Sequence, residues 1–200
     1  MVISVCNIKG GVGKTTTAVN LATVFAKTKK VLIYDMDTQK ACGYFYGIDE
    51  EKKIIRSAKN NIDVYLNKKF KNIFQNYDIV IIDTPAGLNK HTKEAIKNSD
   101  ITIVPVLPNI LSLRTFNEMV DKGFDNLKIL LNGVEKKENH KKIIDLILKL
   151  PSSQYFKTYI PKNDKIESMP LFKKSIVEMH PFSNISKAYK KIADEIMNFS

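Results

Sequence analysis

Two cysteines, Cys6 and Cys42, are too few for a disulfide framework, and so low a number fits a reducing compartment. The three histidines, His91, His140 and His180, are scattered, and neither cysteine has one nearby in sequence. Ligands so spaced argue against a zinc site or an iron–sulfur cluster, and no Ser–His–Asp or Cys–His arrangement stands out. No apolar run reaches the roughly 18 residues needed to span a bilayer. The first residues, MVISVCNIKGG, lack the basic-then-apolar layout of a signal peptide, so the chain reads as cytoplasmic. Arginine is almost missing. Arg56 and Arg114 are the only two, which leaves 32 − 2 = 30 lysines among the basic residues. There is no internal repeat, no low-complexity tract and no Pro/Gly/Ser linker, so residues 1–200 read as one domain. With 44% hydrophobic residues the chain can bury a core, which excludes disorder as its main state.

What is abundant is positive charge. The formal net charge is +11, and successive fifties of the sequence contribute +2, +4, +2 and +3, so no detached basic tail exists. Lysine is a hydrated point charge, suited to sequence-blind attraction to phosphate rather than to bidentate reading of bases. A lysine-rich surface that only keeps the protein soluble accounts for the same numbers equally well.

Apolar runs of strand length alternate with stretches of helical period. Val2–Asn7, Val31–Tyr34, Ile62–Leu66, Ile79–Ile82, Ile101–Val106 and Leu127–Leu131 read as strands, with a short one near Phe156–Ile160. Helices are expected over Lys14–Ala26, Lys68–Phe74, Leu88–Lys97, Leu113–Val120, Asn139–Leu150 and Ser186–Asn198, while Gly47–Asn61 shows neither period. Uninterrupted Val/Ile/Leu strands separated by helices indicate an α/β fold, a mostly parallel central sheet with helices on both faces.

The strongest local signal is Lys9-Gly10-Gly11-Val12-Gly13-Lys14-Thr15-Thr16, between the first strand and the first helix. Glycines let backbone N–H groups turn towards a phosphate, and the helix start adds its positive dipole end. Lys14 would reach the β- and γ-phosphates, and the Thr15 hydroxyl would ligate Mg²⁺. The usual phosphate loop has a glycine where this chain has Ile8, and this chain instead has a second lysine, Lys9.

That KGGxGKT form resembles the deviant Walker A box of the ParA/MinD family of P-loop ATPases. The resemblance implies that Lys9 crosses a dimer interface to stabilise charge on the partner's nucleotide, in the manner of an arginine finger. Asp35-Met36-Asp37-Thr38-Gln39 stands where the family has DxDxQ, with Thr38 in place of its usual proline. By resemblance Asp37 positions the attacking water and Asp35 supports the Mg²⁺ shell. Asp83, after the IVII run, is similar to the Walker B aspartate that holds Mg²⁺, and Lys9, Lys14 and Asp37 make the catalytic set. Asn132 and the Pro161–Asn163 loop fall where the family flanks the adenine, although Asn132 also reads as a plain turn residue.

The resemblance thus implies an ATP hydrolase using ATP/ADP and Mg²⁺, a small ParA-type partition ATPase without an N-terminal helix-turn-helix. It implies an ATP-dependent homodimer that binds double-stranded DNA non-specifically, is nucleoid-associated, and is stimulated by a ParB-like or cargo-adaptor protein. Lys173, Lys174, Lys187, Lys190 and Lys191 are candidate DNA contacts, or else a solvated surface. Ile185, Tyr189, Ile192 and Ile196 recur at three and four on the last helix. They are expected in the core, which sets aside a MinD-like membrane-associated ATPase, the first alternative. A metabolic ATP-dependent synthase of the same fold is the second, and no further catalytic set supports it.

Overall fold

A computed structural model describes residues 1–48, 54–59, 61–66 and 74–199. Among them eight strands form one sheet: β1 (Val2–Val5), β2 (Val31–Asp35), β3 (Ile54–Lys59), β4 (Ile62–Leu66), β5 (Ile79–Asp83), β6 (Ile101–Val106), β7 (Leu127–Val134) and β8 (Ile160–Pro161). Their order across the sheet is β3-β4-β2-β5-β1-β6-β7-β8. Every neighbouring pair is parallel except β3 and β4, which run antiparallel at one edge.

Period-two alternation sends successive side chains to opposite faces. Ile3, Val5, Ile33, Ile81 and Ile103 enter the core beneath α1 (Lys14–Phe25), while Leu32, Tyr34, Val80, Ile82 and Val104 enter the cores on the other face. The first face is completed by α7 (Ile176–Met179) and α8 (Asn184–Met197), both packed on α1. The opposite face is covered by α3 (Lys90–Lys97), α4 (Ile110–Val120) and α5 (Glu138–Ile147), which supply Ala95, Ile96, Phe116, Met119, Ile143 and Ile147 to its cores. Two short helices, α2 (Ala41–Phe45) and α6 (Met169–Phe172), complete the set among the described residues.

The expected strands are present, and helix starts shift for identifiable reasons. Asn89 accepts from the N–H groups of His91 and Thr92, so α3 begins at Lys90 rather than Leu88. Asn109 caps Ser112 N–H and starts α4 at Ile110 instead of Leu113. The unassigned stretch contains β3, an edge strand, and the strand near Phe156–Ile160 shrinks to an isolated bridge between Tyr155 and Ile129 followed by β8. Of the helix expected over Lys68–Phe74, residues 68–73 lie outside the described residues, and Phe74–Asn76 is a single 3₁₀ turn. Ile185, Tyr189, Ile192 and Ile196 are all fully buried against the sheet. Burying side chains of this size stabilises by roughly 1.5–3 kcal/mol each, enough to commit the stripe to the core.

Candidate nucleotide site

Parallel strands end together, and the C-terminal ends of β1, β2 and β5 carry the residues that matter. After β1, Asn7 is buried and anchors the departing chain: its Nδ2 donates to Pro105 O at 2.7 Å, and its Oδ1 accepts from Lys9 N at 2.8 Å. Gly11 and Gly13 then take positive φ of 72° and 94°, where an L side chain is strained. Val12 is buried, and its carbonyl accepts from Asn132 Nδ2 at 2.8 Å. Helix α1 begins at Lys14 with no side-chain cap, so its first N–H groups are left for an anion. Lys14 is buried, with Nζ donating to Lys9 O at 3.3 Å. The Lys9 side chain is exposed.

The carboxylates arrive from the two neighbouring strands. Register pairs Asp35 of β2 directly with Asp83 of β5. Asp83 is fully buried, and its Oδ2 accepts from Thr15 Oγ1 at 2.6 Å and from Cys42 Sγ at 3.3 Å. Its Oδ1 has no hydrogen-bond partner among the described residues. Burial, reinforced by the nearby Asp35 charge, pushes the Asp83 carboxyl up to about 7. Asp35 accepts from Gly43 N at 3.1 Å through Oδ2 and from Asp37 N at 3.0 Å through Oδ1. Burial nevertheless raises it to about 6. Asp37 is half-buried, with Oδ1 accepting from Gln39 N at 2.9 Å.

Lys14, Thr15, Asp35 and Asp83 therefore converge, with Asp37 two residues beyond Asp35. An unpartnered carboxylate oxygen, two facing buried carboxylates and a threonine hydroxyl form an oxygen donor set that suits a hard divalent cation such as Mg²⁺. Asn132 joins the site from β7, with its amide nitrogen committed to the phosphate loop at Val12. Asn163 lies beyond β8, and its Oδ1 caps the following 3₁₀ turn by accepting from Lys165 N. Asn132 pairs with Ile160, so Pro161 and Asn163 follow at the same end of the sheet.

Sequence reasoning missed Asn7, Cys42 and Gly43. Cys42 and Gly43 follow Asp37 by a few residues, yet nothing in their types signals that α2 folds back onto the carboxylates. Of the five candidate DNA lysines, two follow α6 and three lie on α8. Lys173 and Lys174 are exposed at the end of α6, Lys187 and Lys191 are exposed on α8, and Lys190 donates to Pro181 O at 2.9 Å.

Residues 3–176 match the CobQ/CobB/MinD/ParA nucleotide binding domain. The chain belongs to this family. Over 98% of its length it is 26% identical to the sporulation initiation inhibitor protein Soj of Bacillus subtilis, covering 97% of that protein. A putative plasmid partition protein of Borrelia burgdorferi bound to AMPPNP superposes with a TM-score of 0.75 at 24% identity, over 99% of this chain and 97% of that one. The septum site-determining protein MinD of Pyrococcus horikoshii, complexed with Mg-ADP, gives 0.80 at 23% identity, over 98% and 95%. Likeness at that identity carries the fold, and the phosphate loop of this ParA/MinD-family chain then sits at the strand ends where open parallel sheets bind nucleotides.

Proposed function

We propose that this protein is an Mg²⁺-dependent ATPase that switches between monomer and dimer to position DNA or another cargo. The observation that carries the reading is the convergence of Lys14, Thr15 and Asp83 at the glycine loop, with Lys9 exposed beside them. The β- and γ-phosphates would lie on the loop N–H groups, with Lys14 moving from the Lys9 carbonyl onto their oxygens. Mg²⁺, held by Thr15 and Asp83 with Asp35 behind, would neutralise charge on the phosphates. Asp37 orients the attacking water. Lys9 reaches the partner's nucleotide, which makes each site complete only in the dimer.

An exposed apolar pair supports a closing face at this end of the sheet: Ile110 and Leu111, at the start of α4 just after β6, are 56% and 57% exposed. The partition and MinD proteins compared above, in complexes with AMPPNP and Mg-ADP, support ATP/ADP and Mg²⁺ as the ligands. The net charge of +11 supports sequence-blind attraction to duplex DNA, with Lys173 and Lys174 among the contacts. A ParB-like or adaptor partner would stimulate hydrolysis, and the protein would act in the cytoplasm on the nucleoid. No helix among the described residues is long and apolar enough to cross a membrane. The α8 stripe that a membrane-bound reading would need is already spent in the core.

Sedimentation velocity tests the switch. With Mg²⁺ and a non-hydrolysable ATP analogue the protein should sediment as a dimer, with ADP as a monomer, and Lys9→Ala should stay monomeric with both. A species that ignores the nucleotide would overturn the proposal.

A further inference from the structure

At the β8 edge of the sheet a cleft of about 870 Å³ opens between α5 and α8. Six lysines and two glutamates line it, a surplus of four positive charges. One of the glutamates, Glu135, is already held by Lys137 at 2.8 Å and Lys162 at 3.8 Å. Lys141 stands on the α5 side and Lys187 and Lys191 on the α8 side, all exposed, and none of the three has a carboxylate within ion-pair distance among the described residues. Between these walls the lining combines Lys157 and Thr158 with an apolar part: Val134 and Ala188 are buried, Ile144 is half-buried, and Tyr159 is 46% exposed.

We propose that this cleft is the docking site for an acidic segment of a partner protein, one whose glutamates or aspartates alternate with apolar side chains. Charge complementarity selects the sign of the occupant: like charges spaced four apart on α8 gain from an anion between them. The apolar lining selects its class. A duplex presents a convex ridge of phosphates that gains nothing from Ile144, Ala188 or Tyr159. An extended peptide can instead bury apolar anchors there while its carboxylates reach the lysine rim. The proposal gives a place to the partner that the proposed function requires, and it rests on that reading in this respect.

Fluorescence anisotropy on the full chain tests it with three probes: a labelled Glu/Leu/Phe peptide, a Glu/Ser peptide of the same length and charge, and a random-sequence duplex as competitor. The Glu/Leu/Phe peptide should bind, the Glu/Ser peptide should bind at least fivefold more weakly, and the duplex should fail to displace the first. Lys187→Glu with Lys191→Glu should weaken the peptide tenfold or more. Lys173→Glu with Lys174→Glu should leave it unchanged, which removes general charge as the cause. Equal binding of the two peptides, displacement by the duplex, or an unaffected Lys187/Lys191 variant would each overturn the proposal. ATP binding by the wild-type protein, measured alongside, judges the nucleotide reading separately. Its failure would sink the switch and leave the peptide result to decide the cleft.

Discussion

Gly13→Ala probes the joint between the phosphate loop and β7 more sharply than any other single change. At φ 94° the backbone there is outside the range that alanine adopts comfortably, which costs about 1–2 kcal/mol. A β-carbon at Gly13 would also overlap Asn132 Nδ2, the atom that donates to Val12 O. The asparagine side chain can swing away, but only by giving up that hydrogen bond, a further loss of about 0.5–1.5 kcal/mol. The sum, roughly 1.5–3.5 kcal/mol, should appear in urea unfolding of the nucleotide-free protein, and as a drop in Tm of about 2–4 °C per kcal/mol. The two parts separate in a double-mutant cycle. In an Asn132→Ala background the overlap is gone, so Gly13→Ala should cost only its backbone part. A coupling of about 0.5–1.5 kcal/mol should remain. Additive mutants, or a Gly13→Ala protein as stable as the wild type, would refute the reasoning.

Removing the facing charge at the cation site should stabilise the cation-free protein. Asp83→Asn is expected to raise Tm in EDTA while abolishing Mg²⁺-dependent hydrolysis, and a lower Tm in EDTA would count against a strained carboxylate pair. Lys128 gives the pH prediction. It is 3% exposed on β7, with its ammonium over the rings of Phe199 and Phe156, and burial pulls it down to about 8, with Glu195 opposing. A base whose folded value lies below its unfolded one destabilises the fold while charged. That penalty is complete below about pH 8 and fades as pH rises towards 10.5. Lys128→Met should therefore be more stable than wild type at pH 7, with the gap closing by pH 10, as read from urea midpoints at both values.

The phosphate loop could be read directly because its chemistry needs adjacent residues: two positive-φ glycines, then a lysine and a threonine at the helix start. Asp35 and Asp83 were legible for a related reason. Each ends an apolar strand, and parallel strands in register bring such ends side by side. The parts that depend on distant chain were not legible. Cys42 is a small buried residue in sequence terms, and only the return of α2 places its thiol on Asp83. Asn132 offered an amide to a nucleotide base, and only the fold shows that its nitrogen also donates to Val12 O in the phosphate loop. Strand β3 escaped because IIRSAK lacks the unbroken apolar run of the central strands, as befits an edge. The lysines were countable but not placeable: α8 sends Lys190 to a carbonyl while Lys187 and Lys191 line a cleft with residues from α5.

The most direct test of the central claim, that the Lys14–Thr15–Asp83 cluster is an ATP site, is a titration with a fluorescent ATP analogue with and without Mg²⁺. Lys14 offers a charge-assisted contact to phosphate worth about 1.5–3 kcal/mol. Lys14→Ala should therefore weaken binding by about 10–100-fold with the urea midpoint of the nucleotide-free protein nearly unchanged. Equal affinity in wild type and Lys14→Ala, or binding indifferent to Mg²⁺, would contradict it.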